Sequence, residues 1–105
     1  MRRIVHLDVT YAAGAEAVVD ALTSTPNVKR TVVSLIPQQT ASVDLVAYVD
    51  TDQIVAVPSN LLGVYTDPRI LINRELSVGE TFKVGYRDGA DSGQTKFVVV
   101  EYEEV

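Results

Sequence analysis

Between residues 3 and 11 apolar and polar side chains take strict turns: Val5, Leu7, Val9 and Tyr11 alternate with His6, Asp8 and Thr10. Successive side chains of an extended strand point to opposite faces, so this pattern buries one face and wets the other. Residues 42–50 repeat it, with Val43, Leu45, Ala47 and Val49 opposed to Ser42, Asp44, Tyr48 and Asp50, and only Val46 out of place. Residues 80–87 do so again, with Phe82, Val84 and Tyr86 against Thr81, Lys83, Gly85 and Arg87. A period of two in three separate places commits the chain to a mainly β fold.

The remaining runs are short and β-branched. KRTVVSLI (29–36) stops at Pro37, QIVAV (53–57) stops at Pro58, and KFVVVEY (96–102) carries three consecutive valines. Such runs suit strands buried on both faces, and RILINREL (69–76) is a further strand beginning after Pro68. Proline at the end of a run costs little, because its missing N–H interrupts no ladder there. The connections QQTA, DTD, SVG and DGADSG recur about every ten residues, the spacing of an antiparallel sandwich or barrel. At 105 residues the chain makes one domain over 1–105. The predicted architecture is therefore an antiparallel β-sandwich, jelly-roll-like. One stretch departs from it. In AEAVVDALTST (15–25), Ala15, Val18, Val19 and Leu22 fall at helical spacing opposite Glu16 and Asp20, which favours a short helix ending before Pro26.

Charge narrows the partners. Nine basic residues are scattered over a chain of net charge −5. Without a basic stripe, nucleic acid is not the expected partner. No cysteine is present, so neither a disulfide framework nor thiolate metal ligation is available. No apolar run approaches the roughly 20 residues of a membrane helix. His6, Asp8 and Thr10 break up what would otherwise read as the apolar core of a signal peptide. The expectation is a protein with neither a signal peptide nor a membrane-spanning helix.

Motifs that carry chemistry are few. RDGADSG (87–93) offers Asp88 and Asp91, but position twelve of a loop starting at Asp88 is Val99, whereas a calcium loop closes on a bidentate glutamate. Its glycines suit a hairpin turn. VDTDQ (49–53) reads as a tight turn, with Asp50 accepting from the backbone N–H groups that follow it. His6 is the sole histidine and Asp8 its only same-face ligand, too few for a metal centre; a surface strand position is expected. Paired carboxylates at Glu75 and Glu80, or Glu101 and Glu103, would need a cleft that so small a sandwich rarely makes. No nucleophile motif or phosphate loop is present. The expectation is a protein that is not an enzyme and carries no cofactor or metal.

Two features point to surfaces. Tyr48 and Tyr102 fall on polar-face positions of their strands, and Tyr65 lies in the connection LLGVYTDP; with Asp44, Asn60 and Asp67 near them in sequence they make a candidate glycan- or protein-binding surface. Arg2 and Arg3 open the first strand, while Glu101, Glu103 and Glu104 close the last. If those strands are neighbours, in one chain or between copies, opposite charges meet across them and select register and partner. These five residues are the candidate interface.

The segment ILINRELSVGETFKVGYRDGADSGQTKFVVVEYEEV resembles the end of a small phage or viral jelly-roll protein. The matching pattern is Leu76, Gly79, Glu80, Phe82, Val84 and Gly85, then a polar loop, then Phe97 to Val100. VKRTVVSLIPQQTASVDLVAYVDTDQIVAVP resembles the strand–turn–strand runs of the same virion proteins. Other β-sandwiches share this pattern, among them carbohydrate-binding modules and tumour-necrosis-factor-like trimers, and it carries no functional residue with it. It implies a structural role as a minor capsid, decoration or spike module, partnered by copies of itself and by other virion proteins. A binding module for a glycan or protein ligand is the alternative.

Overall fold

A computed structural model describes residues 1–38, 43–58, 69–88 and 93–104. It contains eight strands: β1 (Arg2–Ala12), β2 (Glu16–Thr23), β3 (Arg30–Pro37), β4 (Val43–Val49), β5 (Asp52–Pro58), β6 (Ile70–Glu75), β7 (Thr81–Asp88) and β8 (Gly93–Glu104). Two antiparallel four-stranded sheets pack face to face, sheet A in the order β1-β8-β3-β6 and sheet B in the order β2-β7-β4-β5. Eight strands interleaved in this way form a jelly roll, the two-sheet solution built from two Greek keys.

The period-two pattern dictates which side chains meet between the sheets. Val9, Tyr11, Val32, Leu35, Val98 and Val100 point inward from sheet A and are buried; Leu45, Val49, Phe82, Val84 and Tyr86 meet them from sheet B. On the outward side of β1, His6, Asp8 and Thr10 remain exposed, as the alternation requires.

Residues 15–25 form no helix: Glu16–Thr23 is strand β2, paired with β7 from Glu16↔Arg87 to Thr23↔Thr81. The helical stripe has a local origin. A register shift between Asp20 and Leu22 displaces the alternation by one residue, so Val19 and Leu22 both reach the core while Val18 stays 37% exposed. An alternation with one residue inserted mimics helical spacing.

RDGADSG does not close a hairpin either. β7 belongs to sheet B and β8 to sheet A, so the connection after Asp88 crosses between sheets; Asp91 lies outside the described residues. Every other consecutive pair of these strands also changes sheet, except β4 and β5, which form the one hairpin among the described residues. Their two-residue turn places Asp50 at φ 55°. Asp50 does not accept from its own turn: its carboxylate accepts the N–H of Thr81 on β7 at 3.0 Å, and its own N–H donates to the Thr81 carbonyl at 2.9 Å.

Candidate functional site

The outward face of sheet B carries a polar network centred on Tyr48. Alternation on β4 points this ring away from the core, and pairing with β7 and β5 brings Lys83 and Gln53 beside it. The Tyr48 hydroxyl donates to Glu16 Oε2 at 2.8 Å and accepts from Gln53 Nε2 at 3.2 Å. Arg87 donates through Nε and Nη2 to the other oxygen, Glu16 Oε1, at 3.1 and 2.9 Å. The hydrogen bond to Glu16, followed by partial desolvation and the charge of that carboxylate, raises the Tyr48 phenol above its ordinary range; Arg87 opposes the rise. The same carboxylate raises the Arg87 guanidinium further. A shallow depression of about 300 Å³ lies over Glu16, Val18, Tyr48, Asp50, Thr51 and Lys83. Such a surface presents donors, acceptors and both signs of charge to a polar ligand.

Of the three candidate tyrosines, Tyr48 and Tyr102 stand on different sheets and do not converge. Tyr102 shares the parity of Val98 and Val100 on β8, so it points inward and packs half-buried against the core, not on the polar face expected of it. Tyr65 lies outside the described residues, as do Asn60 and Asp67. Of the two described candidates, Tyr48 stands on an outward face and Tyr102 does not. Arg87, which the alternation had put on the polar face of its strand, completes the network with Glu16 and Gln53; Glu16 was not singled out because it sat on the polar side of the supposed helix.

The outward face of sheet A has a different character. The register aligns Ile4, Glu101, Ser34 and Leu71 in one row across the four strands, with His6, Val99 and Ile36 in the next and Asp8 beside Phe97. Ile4 is 66%, Leu71 69% and Phe97 37% exposed. His6 is a surface strand residue, its ring stacked on Phe97 with centroids 5.5 Å apart. Within this apolar setting Glu101 is held by three groups: Arg2 at 3.3 Å, Arg69 at 3.9 Å and the Ser34 hydroxyl, which donates at 3.1 Å. Glu104, on the inward-facing parity, pairs with Arg3 at 3.4 Å and Arg30 at 3.0 Å. The terminal charges thus meet across β1 and β8 of the same chain. Glu103, opposite Arg2, makes no ion pair among the described residues.

The other paired acids are also matched to cations: Glu75 with Lys29 at 3.1 Å and Glu80 with Arg74 at 3.6 Å. Among the described residues no three His, Cys, Asp or Glu side chains gather in a way that would hold a metal ion. Also among them, no helix is long and apolar enough to cross a membrane.

No family model, curated protein or solved structure matches this chain. What each surface can do therefore rests on its own geometry.

A third feature lies where the sandwich opens between its edge strands β5 and β6. Ile54–Val57 and Ile70–Ile72, with Arg74, line a trough of about 420 Å³. It is more apolar than the Tyr48 surface and holds a single charged side chain, at its end. The residues joining β5 to β6 lie outside the described set.

Proposed function

We propose that the protein is a non-enzymatic structural module that assembles with copies of itself, as a minor capsid, decoration or spike element of a virion. The observation that carries this reading is the outward face of sheet A. Ile4 and Leu71 stand largely in solvent in the row of the partly buried Glu101, Phe97 is 37% exposed beside Asp8 on the same face, and Arg2, Asp8, Glu103 and Arg69 lie at the margins. A cluster of exposed aliphatic and aromatic groups with a charged rim is the composition of a protein contact surface. Sheet B, by contrast, shows one large exposed hydrophobic residue on its outward side, Val18 at 37%. The eight-stranded jelly roll is in keeping with the same role.

Sedimentation velocity of the intact chain at micromolar concentration tests it. The wild type is expected to sediment as an oligomer. A variant carrying Ile4→Ser, Leu71→Ser and Phe97→Ser is expected to associate more weakly than the wild type, with unchanged β dichroism. A wild type that stays monomeric throughout the range would overturn the reading.

The Tyr48 surface favours a second reading, a binding module for a glycan or a protein ligand. Its hydroxyl is already oriented by Glu16 and Gln53, and Lys83 and Asp50 flank the depression beside it. A glycan array with Tyr48→Ala as control decides the glycan form, and uniformly blank wells remove it.

A further inference from the structure

We infer that two copies of this chain join edge to edge along β1, antiparallel and with the two-fold axis at Val5, so that sheet A continues across both molecules. The inference rests on the assembly reading above and says which edge does the joining.

Four strands lie at sheet edges: β1 and β6 in sheet A, β2 and β5 in sheet B. Three of them are interrupted. The pairing of β2 shifts between Asp20 and Leu22, that of β6 opposite Val32 and Ser34, and that of β5 opposite Ala47 and Tyr48. β6 is also short, and its Asn73 adopts φ 51°. Interruptions of this kind keep a sheet edge from adding another strand. β1 has none: its register with β8 runs unbroken from Arg2↔Glu103 to Ala12↔Gly93, eleven residues long.

The hydrogen-bond phase shows which groups the edge offers. Glu104 N–H donates to the Met1 carbonyl at 2.9 Å, and the Met1 amino group donates to the Glu104 carbonyl at 2.8 Å. In an antiparallel ladder such doubly bonded pairs recur at every second residue. Arg3, Val5, Leu7 and Val9 therefore bond to β8, while Arg2, Ile4, His6, Asp8 and Thr10 turn their N–H and C=O groups to the free edge. No described residue outside the ladder bonds to those groups.

Charge selects both the occupant and the register. A second β1 about Val5 places Arg2 opposite the copy's Asp8 and Ile4 opposite the copy's His6, twice each by symmetry. All four are residues whose backbone groups face the free edge, so the pairs are hydrogen-bonded ones. Asp8 makes no ion pair among the described residues, and Arg2, which pairs with Glu101 of its own chain, keeps its side chain 51% exposed and open to a second carboxylate. Moving the axis one residue to His6 would set Asp8 against Ile4 and Arg2 against Thr10, with no opposite charges facing across the seam. On the inward side the chosen register brings Val5 against its own copy and Leu7 against Arg3, covering two side chains that β1 leaves half-buried at the border of the core. On the outward side it joins two Ile4–His6–Phe97 strips into one.

The chain has no cysteine, so a single introduced thiol reads the register directly. At a non-hydrogen-bonded pair the Cα atoms lie about 4.5 Å apart, within the roughly 4.4–6.8 Å that a disulfide spans. Val5→Cys, His6→Cys and Thr10→Cys are oxidised with a glutathione buffer at the concentration where the wild type is associated, and dimer is scored on non-reducing gels. Val5→Cys is expected to cross-link in most chains and at least ten-fold more than the other two. Asp8→Arg is expected to weaken association of the wild-type chain at least ten-fold, and Ile4→Pro, which removes a free-edge donor without touching the β8 ladder, to abolish edge pairing with dichroism unchanged. An oligomer in which Val5→Cys does not cross-link, or His6→Cys cross-links instead, overturns the β1 pairing and leaves the assembly reading standing. A wild type that is monomeric overturns both.

Discussion

The hydroxyl of Tyr86 on sheet B donates to the carbonyl of Phe97 on sheet A across 2.6 Å. The same oxygen accepts the Gln38 N–H at 2.9 Å, and the Gln38 side chain accepts the Phe97 N–H at 3.0 Å. A ring that is fully buried thus fastens one layer of the sandwich to the other, with its single polar atom satisfied on both sides. Burial pushes the phenol up to about 12, against the smaller opposing pull of the Gln38 N–H.

This makes stability sensitive to alkali. The unfolded phenol ionises near 10, and the folded one is raised above it. The folded state therefore holds its proton more tightly, and the contribution is complete below about pH 10 and lost as pH rises through about 12. The loss is on the order of 2 kcal/mol. Urea unfolding at intervals from pH 9 to 12 is expected to show it, and Tyr86→Phe, which leaves the Gln38 N–H and the Phe97 carbonyl only their mutual bond at 3.2 Å, is expected to be less stable at neutral pH by about 1 kcal/mol and to show a flatter alkaline limb.

Gly85 sits where β2 presses on β7. A Cβ built there would stand 1.9 Å from the Ala17 carbonyl oxygen and 2.7 Å from the Val18 Cα, both backbone atoms that cannot swing aside. Gly85→Ala is expected to lower unfolding stability by about 3 kcal/mol or more, read from the urea midpoint, because β2 must move as a unit to admit the methyl group.

Glu16 is the main reason the Tyr48 phenol is raised. Glu16→Gln is expected to bring that group back toward its ordinary value near 10, measured by ultraviolet titration of tyrosinate with Tyr48→Phe subtracted. The substitution lies on an outward face, and the urea midpoint is expected to stay almost unchanged.

Asp88 is buried at the end of β7, where its carboxylate accepts the Gly14 N–H at 2.7 Å and its own N–H donates to the Ala15 carbonyl at 2.9 Å. These bonds hold the β1–β2 corner, where Gly14 turns the chain at φ 73°. Asp88→Ala is expected to cost about 1–3 kcal/mol and to speed hydrogen exchange at Gly14, with Asp88→Asn, which keeps an acceptor, costing less.

The sandwich was legible in the sequence wherever alternation ran unbroken, as in β1, β4 and β7. It failed at Val18 and Val19 because a bulge and a helix both move an apolar residue out of phase, and only the partner strand tells them apart. Strand order was not legible. The glycines around Asp88 suit a hairpin and an inter-sheet crossing alike, and the choice is made by pairing partners far along the chain. Of the candidate surfaces, Tyr48 was readable from parity. Tyr102 was misassigned because a run of three valines obscures which alternate residues face inward. The apolar strip on sheet A was hidden for the same reason: Phe97 and Val99 look like core until Val98 and Val100 are known to occupy it.

The pairing of Arg2 with Glu103 brings together residues from opposite ends of the described chain. Contacts this distant in sequence recover no energy until the intervening loop has closed, and loop closure is paid in entropy. The hairpin at Asp50 has no such cost, so it is the natural first structure to form, while the β1–β8 ladder waits for almost everything else. Refolding followed by stopped-flow dichroism is therefore expected on the millisecond-to-second scale of non-local β proteins, and during that interval the β8 edge that β1 will occupy stands open to any other strand.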